Sequence, residues 1–266
     1  MHLRKSILRL LPLFLLSISV TSTADVLDDM LERGSIRFGV AVFVPWTMKS
    51  ESGELIGFEI DLANKIAKDM GLEAEFKLYP WDEVIPALQR GDIDILTGGM
   101  SITPGRALQV SFTRPTAESG VSIATNIELT KDIKKLEELN DPQINIAVVS
   151  KTLAHSVTKT FFDKATITVY PSGEEAGEAV VKGKAHAYLA SLTQTRFLAL
   201  DNGDKIDLPI AEPLVASVEA IAVKKGEQEL LNFLNAWVTA RRADRWIDTT
   251  RDYWFETLEW AEDVAQ

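Results

Sequence analysis

The chain contains no cysteine and only three histidines. Without a thiol there is no disulfide, no thiolate metal site and no cysteine nucleophile, and no lipidated cysteine to tether an exported protein to a membrane. Past the amino-terminal stretch, no apolar run approaches the roughly 20 residues that span a bilayer. Basic charge is also scarce: 28 Lys and Arg against 39 Asp and Glu give a formal net charge of −11. So acidic a chain is repelled by nucleic acid and by anionic lipid, and neither is expected as a partner. Metal-ligand spacings and a phosphate-binding glycine loop are missing as well, so no metal and no cofactor is expected.

What is present begins with an export signal. Arg4, Lys5 and Arg9 precede the apolar run Leu10–Val20, and Ser22-Thr23-Ala24 offers small residues to a signal peptidase. This is the pattern of a secretory signal peptide over residues 1–24, removed near Ala24. The mature chain then has 242 residues and, with three basic residues gone, a charge of −14. That length suits one large domain or two lobes of about 100–150 residues each. Exported and untethered, the protein is expected in a periplasm, as a monomer without direct membrane insertion.

Periodicity along the mature chain alternates between two and about 3.6 residues. Asp28–Arg33 reads as a short helix closed by Gly34, and Ser35–Val40 as a strand. Ile60–Met70 carries a helical apolar stripe ended by Gly71, Glu73–Leu78 is a second strand, and a helix opening at Trp81 reaches Arg90 before Gly91. A second set follows: strand Asn145–Val149, a helix to Phe162, strand Ile167–Tyr170, helix Glu174–Lys182, strand Ala185–Leu189 and a helix after Ser191. Alternation of this kind argues an open α/β sheet, and its repetition argues two similar lobes. Thr130–Leu139 is expected as a charged surface helix, Val218–Val223 as one strand, and Gln228–Ala240 as an amphipathic helix. The aromatic tail from Trp246 to Trp260 is expected to pack back on the first lobe. Lobe 1 therefore takes residues 25–117 and 218–266, and lobe 2 takes 118–217, with crossings near Ala117–Gly120 and Ala216–Ala220.

The stretch Asp92–Arg106 organises the functional reading. A short strand, Ile93–Leu96, breaks at Gly98-Gly99, where a backbone without side chains lets a ligand approach closely. Ser101 and Thr103 offer hydroxyls, and Pro104 suits the first turn of a helix whose free amides would face an anion. Arg106 lies in that turn, and its guanidinium can bind a carboxylate through two parallel hydrogen bonds. The plainer alternative is a connection whose arginine is merely solvated. Phe43, Pro45 and Trp46 put apolar bulk on the loop after the first strand. They suit a pocket wall, although Trp46 could equally plug the core. Ligands of open α/β sheets sit beyond the carboxyl ends of the strands, so these loops and the one at Trp81 should gather at one edge.

With these residues in view the chain resembles the type II periplasmic binding proteins of amino-acid ABC transporters, the family 3 extracellular solute-binding proteins. The likeness rests on Ser35-Ile36-Arg37-Phe38-Gly39-Val40, on Gly53–Leu62, on Trp81–Leu88, on Gly91-Asp92-Ile93-Asp94-Ile95 and on Met100–Arg106. It is dense from residue 35 to about residue 115 and thinner beyond. The resemblance implies a type II fold in which two α/β lobes, each a central sheet flanked by helices, close over a ligand about a two-strand hinge. It implies that Arg106 grips the ligand's carboxylate with help from Ser101, that Thr152 meets the same group, and that Trp46 and Trp81 sandwich the ligand. It also implies an inner-membrane ABC transporter permease as partner.

One position departs from the pattern. Where members commonly carry an aspartate for the ligand's α-ammonium, this chain has Ser191, and His186-Ala187 replaces an Asp-Ala earlier in that strand. Burying an ammonium without a counter-charge costs several kcal/mol. Either Glu118, near the first crossing, supplies the charge, or the ligand is a carboxylate that lacks an α-amine.

Two other classes remain. The same fold resembles that of exported cyclohexadienyl dehydratases, in which a pocket acid protonates a leaving hydroxyl; here Glu118 or Glu174 would have to serve. His155 and His186 are further possible bases, each without an identifiable partner. A third class is a ligand-presenting partner of a membrane receptor. The binding reading expects no catalytic residue.

Overall fold

The computed structural model describes residues 25–257 and 260. The expected signal peptide, residues 1–24, lies outside them. One sheet of five strands is built from both ends of the chain. Ser35–Val40 runs parallel to Glu73–Leu78 on one side and to Ile95–Leu96 on the other. Ala222–Lys224 joins Ile95–Leu96 antiparallel and pairs in turn with Val110–Phe112. Ile36, Phe38 and Val40 are buried, as are Ser35 and Gly39, which is expected of a strand covered on both faces. The helices Phe58–Met70 and Val84–Arg90 end at Gly71 and Gly91, whose φ of 71° and 79° is the left-handed cap that a Cβ disfavours.

A second sheet of six strands holds the middle of the chain, with Ala117–Asn126, Ala187–Ser191, Asn145–Val149 and Thr166–Tyr170 as successive neighbours. Ile206–Asp207 and Val215–Glu219 both pair with Ala117–Asn126, antiparallel. The protein is thus two-lobed α/β. Ala117–Asn126 carries the chain away from the first sheet and Val215–Glu219 brings it back, with Ala117 opposite Glu219 and Glu118 opposite Val218.

Two expected elements differ. Val218–Val223 is not one strand: Val215–Glu219 pairs in the second sheet, and a new strand, Ala222–Lys224, starts in the first. Changing sheets requires a bend, and it falls at Ala220-Ile221. The expected helix Thr130–Leu139 is also divided, into a turn of helix at Ile127–Thr130 and a 3-10 turn at Leu136–Leu139. The Asn126 side chain caps the Leu129 amide and so starts the helix early, while Lys135 is extended and ends the run between the two turns.

The tail docks as expected. Trp254 and Trp260 are buried in one apolar cluster with Phe38, Phe58 and Leu62. The Trp254 indole N–H donates to Asp61 at 2.7 Å, so the ring's polar edge is satisfied as its body is buried. Phe255 stacks edge-on to Trp46 at 4.7 Å, and Trp260 meets Phe197, on the helix Leu192–Asp201 beside the second sheet, at 5.0 Å.

Candidate ligand-binding site

A cavity of about 420 Å³ lies between the two sheets. That is within the usual range for a small-molecule pocket. From the side of the first sheet, Phe43, Trp46, Trp81, Gly99, Ser101 and Arg106 line it; Thr152 and Ser191 line it from the other. Gly98 and Glu118 do not, and the Glu118 side chain is exposed.

The loop after the first strand is held in place by a helix start. Phe58 and Glu59 donate their amides to the carbonyls of Pro45 and Trp46, so the loop satisfies donors that the helix Phe58–Met70 leaves over. Gly57 permits this approach, since a Cβ there would lie 2.4 Å from the Trp46 carbonyl oxygen and its φ is 132°. Trp46 is consequently 1% exposed, wedged against Phe58 and Phe255, with its indole face parallel to Phe43. It backs the aromatic wall, whose half-buried front is Phe43 and Trp81, 6.1 Å apart. Trp46 thus lines the cavity only from behind Phe43, nearer the core plug than the partner of Trp81 that the resemblance implies.

Arg106 sits in the short helix Pro104–Ala107, where Thr103 accepts the Arg106 amide as N-cap. Its side chain is buried, with the guanidinium carbon 5.5 Å from the centre of the Trp81 ring. Nη1 donates to the Ser101 carbonyl at 2.9 Å and Nη2 to the Lys151 carbonyl at 3.2 Å. Of five N–H donors three are left over. Burial lowers the guanidinium pKa from its ordinary value, and the Glu219 carboxylate works against that fall.

Of the amides expected to be free in this stretch, three are engaged. The Gly99 amide donates to Glu59 at 2.9 Å, and those of Ile102 and Arg106 go to Val218 and Thr103. The Ser101 amide, in a residue that lines the cavity, has no acceptor among the described residues. The formal positive charge of this stretch is that of the Arg106 guanidinium. The Thr152 hydroxyl is also engaged, donating to the Val149 carbonyl and capping the His155 amide. Ser191 caps the Gln194 amide at 3.2 Å.

Sequence reasoning passed over Glu219, which is 2% exposed and lines the cavity. Its Oε1 accepts from the hydroxyls of Ser217 at 2.6 Å and Ser101 at 3.2 Å, while Oε2 has no partner. Burial pushes the carboxyl up to about 7; the two hydroxyls and Arg106 pull it down, and Glu118 adds to the rise. Glu59, behind Gly99, is likewise raised by burial to about 7, against the Gly99 hydrogen bond. Glu174, an acid considered for catalysis, is exposed and outside the lining. His155 and His186 do not line the cavity either; each accepts a backbone amide, from Lys151 and Asn145. No group of side chains among the described residues is arranged to hold a metal ion.

Contacts close the cavity from above. The Trp81 indole donates to the Lys151 carbonyl at 3.4 Å, beside the Arg106 bond to the same oxygen, and Lys151 Nζ lies 3.5 Å from Asp82. Lys151 adopts a left-handed φ of 56°, which turns that carbonyl across the gap.

The sequence profile of the bacterial extracellular solute-binding proteins, family 3, matches residues 36–257. An ABC transporter glutamine-binding protein of Bacillus subtilis is 30% identical over 243 residues, covering 90% of this chain and 87% of the relative. Among solved structures, a putative ABC transporter binding component from Wolinella succinogenes, complexed with lysine, superposes with a TM-score of 0.81 at 29% identity, covering 86% of this chain and 99% of that one. An ancestral amino acid-binding protein described as a precursor of cyclohexadienyl dehydratase gives 0.80 at 33% identity, covering 88% and 100%.

Proposed function

Because this chain belongs to the family 3 bacterial extracellular solute-binding proteins, we propose that it captures a small carboxylate-bearing solute, an amino acid or related organic acid, between its lobes and delivers it to an ABC transporter. The observation that carries the reading is Arg106: a buried guanidinium with donors to spare, in the wall of a largely apolar cavity. Phe43 and Trp81 cover the body of the ligand. Ser101 positions the guanidinium through its carbonyl, and Thr152 and Ser191 complete the opposite wall. Lobe 1 is taken as residues 25–117 with 218–266, and lobe 2 as 118–217, turning about the paired strands Ala117–Asn126 and Val215–Glu219.

The mature chain acts in the periplasm as a monomer, after cleavage near Ala24, and meets an inner-membrane permease when closed. No helix among the described residues is long and apolar enough to cross a membrane. A ligand shifts the balance toward the closed form only by its preference for that form, and the Lys151 contacts are the interactions that closure adds. The protein is read as non-catalytic, as a carrier whose one cavity-lining acid among the described residues, Glu219, serves binding; the two acids considered for catalysis, Glu118 and Glu174, lie outside the lining.

A thermal-shift screen of amino acids, keto acids and aromatic acids tests this. Binding to the folded state raises the melting temperature with the logarithm of ligand excess. A carboxylate that stabilises the protein and is recovered unchanged is the expected result. Silence throughout the panel, or sustained conversion of prephenate or arogenate to an aromatic product, overturns it.

A further inference from the structure

Arg106 and Glu219 are both buried in the cavity wall and carry opposite charges, yet neither forms an ion pair with any described residue. Ser101 joins them: its carbonyl accepts from Arg106 Nη1 and its hydroxyl donates to Glu219 Oε1. Ser217 donates to the same oxygen, and Oε2 is left without a partner. A buried carboxylate in this condition is costly unless a cation reaches it. Glu219 is also the one acidic side chain that lines the cavity among the described residues.

The other charged groups around it do not meet that need. Glu118, on the partner strand, points to solvent, and Glu59 is held by the Gly99 amide. Arg106 is the cation whose field reaches Glu219, and with two donors on carbonyls it keeps the other three for an anion. Two opposite charges side by side, linked by one serine and not spent on each other, complement a solute that carries a carboxylate and an ammonium on the same carbon. Ser191, where the family resemblance puts an aspartate, brings no charge and is engaged as a helix cap.

Resting on the carrier reading above, we propose that Glu219 receives the α-ammonium group of the ligand, so that the amine subsite lies on the returning strand Val215–Glu219 instead of at Ser191. The ligand is then an α-amino acid, and residue 219 sets the preference for amines over their deaminated counterparts. Because Ser101 also forms an isolated bridge with residue 219, the same short segment orients both halves of the zwitterion.

The test is calorimetry of the mature protein above neutral pH with matched probes: L-lysine and ε-aminocaproate, L-glutamine and glutaramate, L-phenylalanine and hydrocinnamate. In every pair that binds, the amino acid should bind about tenfold or more tightly than its deaminated partner, the scale of one charge-assisted hydrogen bond. Glu219→Gln should bring that ratio close to one by weakening the amino acid, while the deaminated acid binds at least as tightly once a negative charge near its carboxylate is gone; a merely structural role would weaken both. Should that variant fail to fold, Glu219→Asp, which keeps the charge and shortens its reach, should lower the ratio in its place. Equal binding within the pairs, or a ratio untouched by Glu219→Gln, overturns the assignment alone. Silence of amino acids and acids alike overturns the carrier reading and this inference with it.

Discussion

Ser101 links Arg106 and Glu219 through its carbonyl and its hydroxyl, holding two opposite charges in one wall without pairing them. Such an arrangement costs stability, and the cost depends on pH. Glu219 and Glu59 are each raised from 4.5 to about 7 in the folded protein, chiefly by burial. As pH rises through that window the unfolded chain releases these protons and the native chain retains them, so stability declines. Each group contributes roughly 3 kcal/mol to the decline. Urea melts across the interval should show falling midpoints, flattened in the Glu59→Gln, Glu219→Gln double variant. Midpoints that climb would count against the burial of either carboxyl.

Gly99 presses on the aromatic wall. Its φ is 62°, and a Cβ would lie 2.7 Å from a ring carbon of Trp46, which is locked against Phe58 and Phe255. Gly99→Ala should therefore cost about 1–3 kcal/mol by chemical denaturation, combining backbone strain with overpacking. A neutral effect would mean that the loop carrying Phe43 and Trp46 yields more easily than its hydrogen bonds suggest.

The contacts across the gap go to the main chain of Lys151, so its side chain should matter little and its conformation a great deal. Lys151→Gly keeps the left-handed φ accessible and gives up an exposed ion pair to Asp82 worth about 0–1 kcal/mol. Ligand affinity should stay within about fivefold of the unaltered protein. Lys151→Val, β-branched at a φ of 56°, should weaken binding by about tenfold or more through a disfavoured closed form. Small-angle scattering with ligand present should show fewer closed molecules. Equal affinities for the two variants would remove the Lys151 carbonyl from the closure.

Much of this site was readable from residue order, because the first lobe concentrates it in short stretches. Gly99, Ser101 and Arg106 lie within eight positions, and Trp81 follows a strand end, so spacing alone gathers them. Thr152 and Ser191 are reached through the family resemblance, and the structure adds that both are helix caps. Glu219 was hidden by context: Val218-Glu219-Ala220-Ile221 looks like one alternating strand with an acid on its wet side. Its inward direction is set by the bend between Glu219 and Ala222 and by the bridge to Ser101, neither of which is local. The alternation that buries Glu219 opposite Ala117 also turns Glu118, opposite Val218, outward. The divided segment 127–139 was obscured for a related reason, since one capping side chain, Asn126, chose where the first turn began.

Calorimetric titration of Arg106→Ala against the carboxylate that stabilises the unaltered protein most tests the central claim directly. Two charge-assisted hydrogen bonds at about 1.5–3 kcal/mol each place the expected loss at about a hundredfold or more. The fold should survive, because Glu219 can take up a proton once its counter-charge is gone. A folded variant with no measurable heat is the predicted result; a folded variant that binds as tightly as before would contradict the account.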